Sequence, residues 1–179
     1  TTVFGRPVDD ERIDCHLYPS KMALYRHLVL SGADVRNGDW YRHHQPLYNP
    51  LDVESYSSSG TSLRADLGVD EYTLLLGKLG RNDAAKWSES LVKAFESLRL
   101  RGVDCELVTV NPPGEILASF ERRGVDDSVH VLRDLPLGSE PEFYNGIDIY
   151  VHSSAIGETF GYVLAEAMAA GTPIVVEST

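Results

Sequence analysis

The sequence predicts an α/β protein in which a parallel sheet carries helices on both faces. From residue 72 onward, short apolar runs alternate with longer segments whose apolar residues recur every three or four positions. Nearly continuous apolar runs are typical of strands buried on both faces, and the longer segments have the period of amphipathic helices. Strands that alternate with helices indicate βαβ units and therefore a parallel sheet, which binds ligands beyond the carboxyl ends of its strands.

Five strands and four helices follow from this alternation. The apolar runs predict strands at residues 72–76, 105–110, 129–132, 147–151 and 173–176. Helices are predicted between them at residues 87–101, 112–123, 140–145 and 160–170.

Upstream of residue 72 the signals are weaker. Ser20 offers a cap for a short predicted helix over residues 21–30, and Gly32 ends that helix. The small polar residues at 56–62 indicate a linker or an exposed loop. Because the chain starts without a leader and stops abruptly at Thr179, we expect a piece of a longer protein.

Composition excludes several function classes. The chain has 179 residues, 42% hydrophobic and 24% charged, which is ordinary for a globular domain and excludes a disordered, collagenous or membrane-spanning protein. Its net charge of -11 repels nucleic acid and anionic lipid, so a local cationic site has to attract any anionic ligand. Cys15 and Cys105 lie far apart and indicate neither a disulfide framework nor a zinc site, and Cys105 is expected to be buried.

Two cations follow the first predicted strand. Gly77 and Gly80 permit close approach to the backbone, and Arg81 and Lys86 come after them. An arginine fork and an ammonium at the carboxyl edge of the sheet would suit a diphosphate. The alternative is a glycine-rich turn before a solvated helix. Neither the GxxxxGK[ST] phosphate loop nor the GxGxxG dinucleotide fingerprint is present.

Two glutamates frame the start of the helix that follows the fourth strand. The first amides of this helix are unpaired and its amino end is positive, so it favours an anion. Thr159 would cap it, and Gly161 would let a phosphate approach the backbone. Glu158 precedes the helix, whereas Glu166 lies in an apolar run and needs a partner, which a ribose diol can supply. The alternative is a glutamate favoured by the helix dipole followed by an exposed helix glutamate.

This segment resembles the E-x7-E segment of retaining glycosyltransferases of the GT-B fold, especially glycosyltransferase family 4 (group 1). The resemblance rests on Glu158 and Glu166 with the Ala-Met-Ala-Ala-Gly-Thr-Pro that follows. An ordered series of further matches supports it: Gly80-Arg81 with Lys86, Tyr-Asn-Gly-Ile-Asp-Ile at 144–149, Tyr-Asn-Pro-Leu-Asp at 48–52, and Pro19-Ser20-Lys21 with Gly32.

The resemblance implies two domains. Residues 46–179 would form a Rossmann-like domain that binds the nucleotide-sugar donor, the C-terminal half of a GT-B fold and incomplete at its C-terminus. Residues 1–45 would be a remnant of the N-terminal domain and the interdomain segment. We expect this piece alone to bind nucleotide weakly and not to turn over.

The resemblance also implies a reaction and a set of site residues. The enzyme would transfer a sugar from a nucleoside-diphosphate sugar, such as a UDP- or GDP-sugar, to a sugar, lipid or glycan acceptor, with retention and without a metal or cofactor. Arg81, Lys86 and Glu158 would be catalytic: the cations would hold the diphosphate and stabilise the leaving charge, and Glu158 would bind the donor sugar. Glu166 would bind the ribose. The other donor-site residues, which contribute mainly backbone, are Gly80, Thr159, Phe160, Gly161 and Tyr162.

Two positions depart from the family pattern, and other functions stay open. His152 stands where the family often has Pro, and Trp87 where it usually has Gly. A GT-B-type sugar-nucleotide epimerase is one alternative, supported only by His152. A non-catalytic nucleotide-binding α/β module is another, although the basic end of the first strand disfavours a receiver domain. The expected location is cytoplasmic, with peripheral membrane association of the full-length protein and no nucleic-acid partner.

Overall fold

The computed structural model describes residues 13–34, 36, 38–57 and 60–177. The chain divides into two compact units. The first consists of residues 1–50 together with Glu158–Gly161, and the second of Leu51–Gly157 with residues 162–179. The predicted domain boundary lies five residues before the end of the first segment.

The described part of the first unit contains a small βαβ element. Strands β1 (His16–Tyr18) and β2 (His44–Pro46) pair in parallel, with helix α1 (Lys21–Ser31) between them in the chain. The Ser20 hydroxyl accepts a hydrogen bond from the amide of Ala23 at 3.1 Å, and Gly32 ends the helix in the left-handed conformation. The predicted helix is therefore confirmed, whereas both strands are too short and too polar to have been predicted.

The second unit is built on a parallel sheet, which confirms the predicted fold class. Within residues 60–177 its strands are β3 (Leu74–Leu79), β4 (Cys105–Val110), β5 (Val129–Leu132), β6 (Ile149–His152) and β7 (Ile174–Val176). Their order in the sheet is β5-β4-β3-β6-β7, and all neighbours are parallel. The chain thus runs from the centre to one edge, returns to the centre, and runs to the other edge.

Strand β3 begins and ends later than predicted. Tyr72 lies in a turn and is 86% exposed, whereas the strand continues through Gly77 and Lys78, both of which are buried. A lysine at a strand end normally indicates solvent. Here the Lys78 ammonium lies 5.3 Å from the centroid of the buried Trp87 ring, so a cation–π contact accompanies its burial.

The helices of the second unit are α2 (Leu63–Leu67), α3 (Glu89–Leu100), α4 (Gly114–Arg123), α5 (Glu140–Gly146) and α6 (Tyr162–Ala169). Four of them confirm the predicted helices with shifted ends. Helix α3 starts two residues later than predicted because the hydroxyl of Ser88 caps it, accepting from the amide of Ser90 at 3.2 Å. Helix α2 was not predicted, and the predicted linker at 56–62 begins with a buried tyrosine, Tyr56.

Each face of the sheet has its own apolar core. Adjacent residues of a strand point to opposite faces, and in β3 Leu75 and Leu76 belong to different clusters. The cluster of Leu76 contains residues of α3 and α4 together with Cys105, which is buried as expected. The cluster of Leu75 contains residues of α5, α6 and the 3-10 turn Val53–Tyr56.

This topology places a switch point at the carboxyl edge of the sheet. The direction of strand succession reverses between the neighbouring strands β3 and β6. In open α/β sheets such a switch point is where ligands bind.

In the part of the chain that is described, no helix is long and apolar enough to cross a membrane.

Candidate functional site

The loop after β3 carries both predicted cations in an ordered frame. Its 3-10 turn, Ala84–Lys86, is capped by the Asp83 carboxylate, which accepts from the amide of Ala85 at 3.0 Å. The side-chain amide of Asn82 donates to the Pro112 carbonyl at 3.0 Å and so ties the loop to the end of β4.

Arg81 extends from this frame into solvent. Its side chain is 76% exposed, and its guanidinium lies 3.9 Å from the Asp83 carboxylate. An exposed ion pair of this length contributes little, so the guanidinium is accessible to an anionic ligand. Lys86 is the last residue of the 3-10 turn, five positions further along the same loop.

Trp87 forms the support beneath this loop. The indole is 2% exposed, and its N–H donates to the Arg81 carbonyl at 2.9 Å. A Cβ added at Gly80 would lie 3.3 Å from the indole nitrogen, so the ring occupies the space next to that glycine. Trp87 is thus a structural support of this chain, and Gly80 is small because the indole packs on it.

Gly77 also has a packing role. A Cβ at this position would clash with the side chain of Ile147 and would lie 3.2 Å from the Phe143 ring. Gly77 lies within β3 and is buried. The expectation that this glycine admits a ligand to the backbone is therefore wrong, since the space beside it is filled by core side chains.

The loops after β3 and β6 are joined through one carbonyl group. The oxygen of Ala85 accepts a hydrogen bond from the amide of Ile156 at 3.2 Å, and the Ser154 hydroxyl lies 3.3 Å from the same oxygen. The Ser154 hydroxyl also donates to the carbonyl of Ile156 at 2.6 Å. The two loops of the switch point are thus held together next to Lys86.

Two buried polar side chains lie where β6 ends. The Ser153 hydroxyl is buried and makes no hydrogen bond to any residue that the structure describes. Buried hydroxyls usually have a partner, which makes this group a candidate for contact with a polar ligand. His152, the last residue of β6, is buried beside Tyr150, with 6.4 Å between the two ring centroids.

Helix α6 starts two residues later than predicted. Gly161 precedes it with a φ of 83°, a left-handed conformation that favours glycine. Tyr162 and Glu166 are four residues apart on the helix and therefore lie on the same side of it.

Glu166 lies beside two tyrosine side chains. The hydroxyl of Tyr144 donates to Oε2 of Glu166 at 2.8 Å, and the Tyr56 side chain lies close enough to this carboxylate to influence its pKa. Burial raises the pKa of Glu166 above its ordinary value, and the Tyr144 and Tyr56 side chains oppose that rise. Burial, reinforced by the charge of Glu166, raises the pKa of Tyr56 to about 12. Glu166 is therefore not the exposed helix glutamate of the alternative interpretation.

Sequence reasoning missed this contact. It identified the need of Glu166 for a partner, but Tyr144 entered only as part of a motif and Tyr56 as the start of a linker. A tyrosine at the edge of a Ser-rich stretch was the available signal, because an aromatic residue is unusual in a linker of small polar residues.

A family model described as glycosyl transferases group 1 matches residues 71–179. The chain belongs to the group 1 glycosyltransferases. Among curated relatives, the D-inositol 3-phosphate glycosyltransferase of Pseudarthrobacter chlorophenolicus is 37% identical over 123 residues, which are 64% of this chain and 29% of that protein. The protein of the same name from Corynebacterium kroppenstedtii is 31% identical over 183 residues, covering 97% of this chain and 34% of the relative. The chain therefore spans about a third of the length of these relatives.

Solved structures confirm the fold of this group 1 glycosyltransferase chain. Anabaena HepE in complex with UDP and glucose superposes with a TM-score of 0.75 and 21% identity, over 91% of this chain and 44% of that one. WaaG, a glycosyltransferase involved in lipopolysaccharide biosynthesis, gives a TM-score of 0.73 and 21% identity, over 89% and 43%. The α/β fold with its parallel sheet matches GT-B glycosyltransferase structures.

The two units of the group 1 chain divide the predicted donor-site residues between them. Those of the second unit are Gly80, Arg81, Lys86, Tyr162 and Glu166, and those in the segment grouped with the first unit are Glu158, Thr159, Phe160 and Gly161. In the second unit, the structure brings Gly80, Arg81 and Lys86 together on one loop and joins that loop to the one after β6. The roles of all nine residues stay predictions.

Proposed function

We propose that this chain is the donor-binding part of an enzyme that transfers a sugar from a nucleoside-diphosphate sugar to an acceptor. The observation that carries the proposal is the joining of the two switch-point loops at Ala85, beside Lys86 and on the loop that presents Arg81. Because HepE, a protein of the same fold, has been crystallised with UDP-glucose, such a donor fits the proposal. Since the chain spans only part of its relatives, the activity proposed is that of the longer protein.

Arg81 and Lys86 are proposed to bind the diphosphate. A guanidinium offers a planar pair of donors and an ammonium a compact charge, which together match the oxygens of two linked phosphates. When the bond to the sugar breaks, negative charge develops on the departing nucleoside diphosphate. Cations already in position stabilise that charge without reorganisation, so both residues would lower the barrier as well as bind.

The two glutamates are proposed to bind hydroxyl groups of the donor. Glu166 would accept hydrogen bonds from the ribose, and Glu158 from the sugar that is transferred. The backbone at Gly80 and at 159–162 would line the donor, with amides near the start of α6 facing its phosphates. We further propose a retaining, metal-independent transfer without a cofactor to a sugar, lipid or glycan acceptor, as in the family 4 enzymes that the sequence resembles.

Calorimetric titration with UDP, GDP and ADP tests the donor site. Arg81→Ala or Lys86→Ala removes one charge-assisted contact and should weaken binding of the preferred nucleotide about 10- to 150-fold. Arg101→Ala is the matched control, because Arg101 is an exposed arginine at the other end of α3 and its loss changes the net charge equally. Unchanged affinity in both site variants, or binding of none of the three nucleotides, would overturn the proposal.

A further inference from the structure

We infer that Tyr144 and Tyr56 are positioning residues, which hold the Glu166 carboxylate in the orientation that receives the ribose of a nucleoside diphosphate. The inference rests on the proposed role of Glu166 and extends it to two side chains that would not touch the donor themselves.

Tyr144 is immobilised by its surroundings. It is fully buried, and its ring packs edge-on against Phe143 and Tyr150, with centroids 5.4 and 5.5 Å away. The Thr172 hydroxyl donates to the Tyr144 carbonyl at 2.8 Å and fixes the backbone as well. With the ring fixed in this way, the hydroxyl lies beside Glu166 and donates to Oε2 at 2.8 Å.

Tyr56 approaches the same carboxylate from another segment of the chain. It ends the 3-10 turn Val53–Tyr56 and packs on the Tyr144 ring at a centroid distance of 6.2 Å. The side-chain amide of Asn145 donates to the Tyr56 carbonyl at 3.1 Å, so the residue next to Tyr144 fixes Tyr56. The two phenols therefore belong to one connected cluster.

The hydrogen-bonding capacity of a carboxylate fits this arrangement. An ionised carboxylate has about four acceptor positions. Tyr144 uses one of them and Tyr56 would take a second, so the remainder suffices for the two hydroxyls of a ribose. A buried carboxylate without partners would become protonated, and a protonated one would lose acceptor strength. The phenols therefore favour the ionised form, against the effect of burial, and orient the group before the ligand arrives.

The test measures how strongly the protein prefers an intact ribose. Wild-type protein is titrated with UDP and with 2′,3′-dideoxy-UDP. The dissociation constant of the dideoxy nucleotide divided by that of UDP gives the preference. The same pair of nucleotides with guanine or adenine is used where that base binds better. We expect Tyr144→Phe and Tyr56→Phe each to reduce this ratio about 3- to 10-fold, as freedom returns to Glu166. Affinity for the dideoxy nucleotide should stay unchanged.

Tyr150→Phe is the matched control. Tyr150 is fully buried in the same cluster, but its hydroxyl donates to the Leu79 carbonyl at 2.9 Å. Its variant should keep the wild-type ribose preference. Thermal unfolding establishes that each variant is folded, and Tyr56→Phe, at the margin of the core, carries the test if Tyr144→Phe does not fold.

Different failures point to different errors. If the Tyr→Phe variants keep the wild-type ratio, or weaken both nucleotides equally, while Glu166→Gln abolishes the preference, the positioning role is wrong and the proposed function stands. If the wild type binds nucleotide through Arg81 but shows no ribose preference, the role of Glu166 and this inference fall together. If no nucleotide binds, the proposed function itself fails.

Discussion

The two faces of the sheet are held together by different chemistry. On the face of α3 and α4, an apolar core is closed by charges at its surface: Arg123 pairs with Glu96 at 2.6 Å and with Glu89 at 3.3 Å. On the face of α5 and α6, a partly buried carboxylate, Glu166, accepts a hydrogen bond from the hydroxyl of the core residue Tyr144. The glutamates of the first face pair with an arginine, whereas Glu166 is bonded to a neutral tyrosine.

The glutamates of the two faces therefore have opposite effects on stability. A carboxylate that pairs at the surface stabilises the fold, whereas a carboxylate that is partly buried costs stability in its charged form. The pKa values of the two glutamates move in opposite directions: the hydrogen bond from Ser119 and the nearby Arg123 lower the pKa of Glu89, and burial raises that of Glu166. A residue that costs stability in its charged form is more readily explained by binding than by folding.

The largest expected effect comes from the apolar core of the α3–α4 face. Phe95 and Phe120 are buried and meet edge to face at a centroid distance of 6.2 Å. Phe95→Ala should lower the free energy of unfolding by about 3–5 kcal/mol, through lost burial and the cavity left behind. Denaturant unfolding measures this change. A loss below about 1 kcal/mol would show that this face does not carry the stability assigned to it.

A smaller effect is expected from the ion pairs of the same face. Arg123→Ala removes the partner of Glu89 and Glu96 and should lower the thermal midpoint at pH 7. Because the pKa of Glu89 is lowered in the fold, its stabilisation is present above the ordinary glutamate pKa and is lost as the pH falls through the folded value. The deficit of the variant should therefore shrink on acidification. A deficit that is constant from pH 7 to pH 3 would contradict the electrostatic role.

The smallest effect, and the one of opposite sign, is expected at Glu166. Its raised pKa means that the charged form is disfavoured in the fold, so the penalty appears as the pH rises through the folded value and is absent below the ordinary pKa. Glu166→Gln should raise the thermal midpoint of the unliganded protein at pH 7 by about 1–3 °C, and this gain should vanish near pH 3. Scanning calorimetry in parallel with Arg123→Ala compares the two signs directly. A loss of stability at pH 7 would remove the contrast between the faces.

Sequence reasoning succeeded where local pattern and topology determine the outcome. The five strands of the second unit carry apolar runs, and their alternation with helices already implied that Arg81 and Lys86 lie at the carboxyl edge. It failed for β1 and β2, which are three residues long and contain histidine, glutamine and proline rather than an apolar run. Their pairing depends on α1 and on each other, which no local pattern reports.

The candidate site was predictable to the same extent. Residues that follow strands could be located, but contacts between distant segments could not: Tyr144 and Glu166 are 22 positions apart, and Tyr56 lies far upstream of both. The end of β3 was misplaced for a similar reason, since the burial of Lys78 depends on Trp87, which comes nine residues later. In each case the partner of a polar side chain lies too far along the chain for a local sequence pattern to indicate it.

The junction at Ala85 has a consequence for how this family member can vary. The contacts of Ile156 and Ser154 at this junction are both made to the backbone carbonyl oxygen of Ala85, an atom that every amino acid possesses. Substitution at position 85 should therefore be tolerated, whereas deleting or inserting a single residue between Gly80 and Trp87 would displace that oxygen and separate the loops. For natural or engineered relatives, the length of this segment should therefore be constrained more strictly than the identity of its residue at position 85.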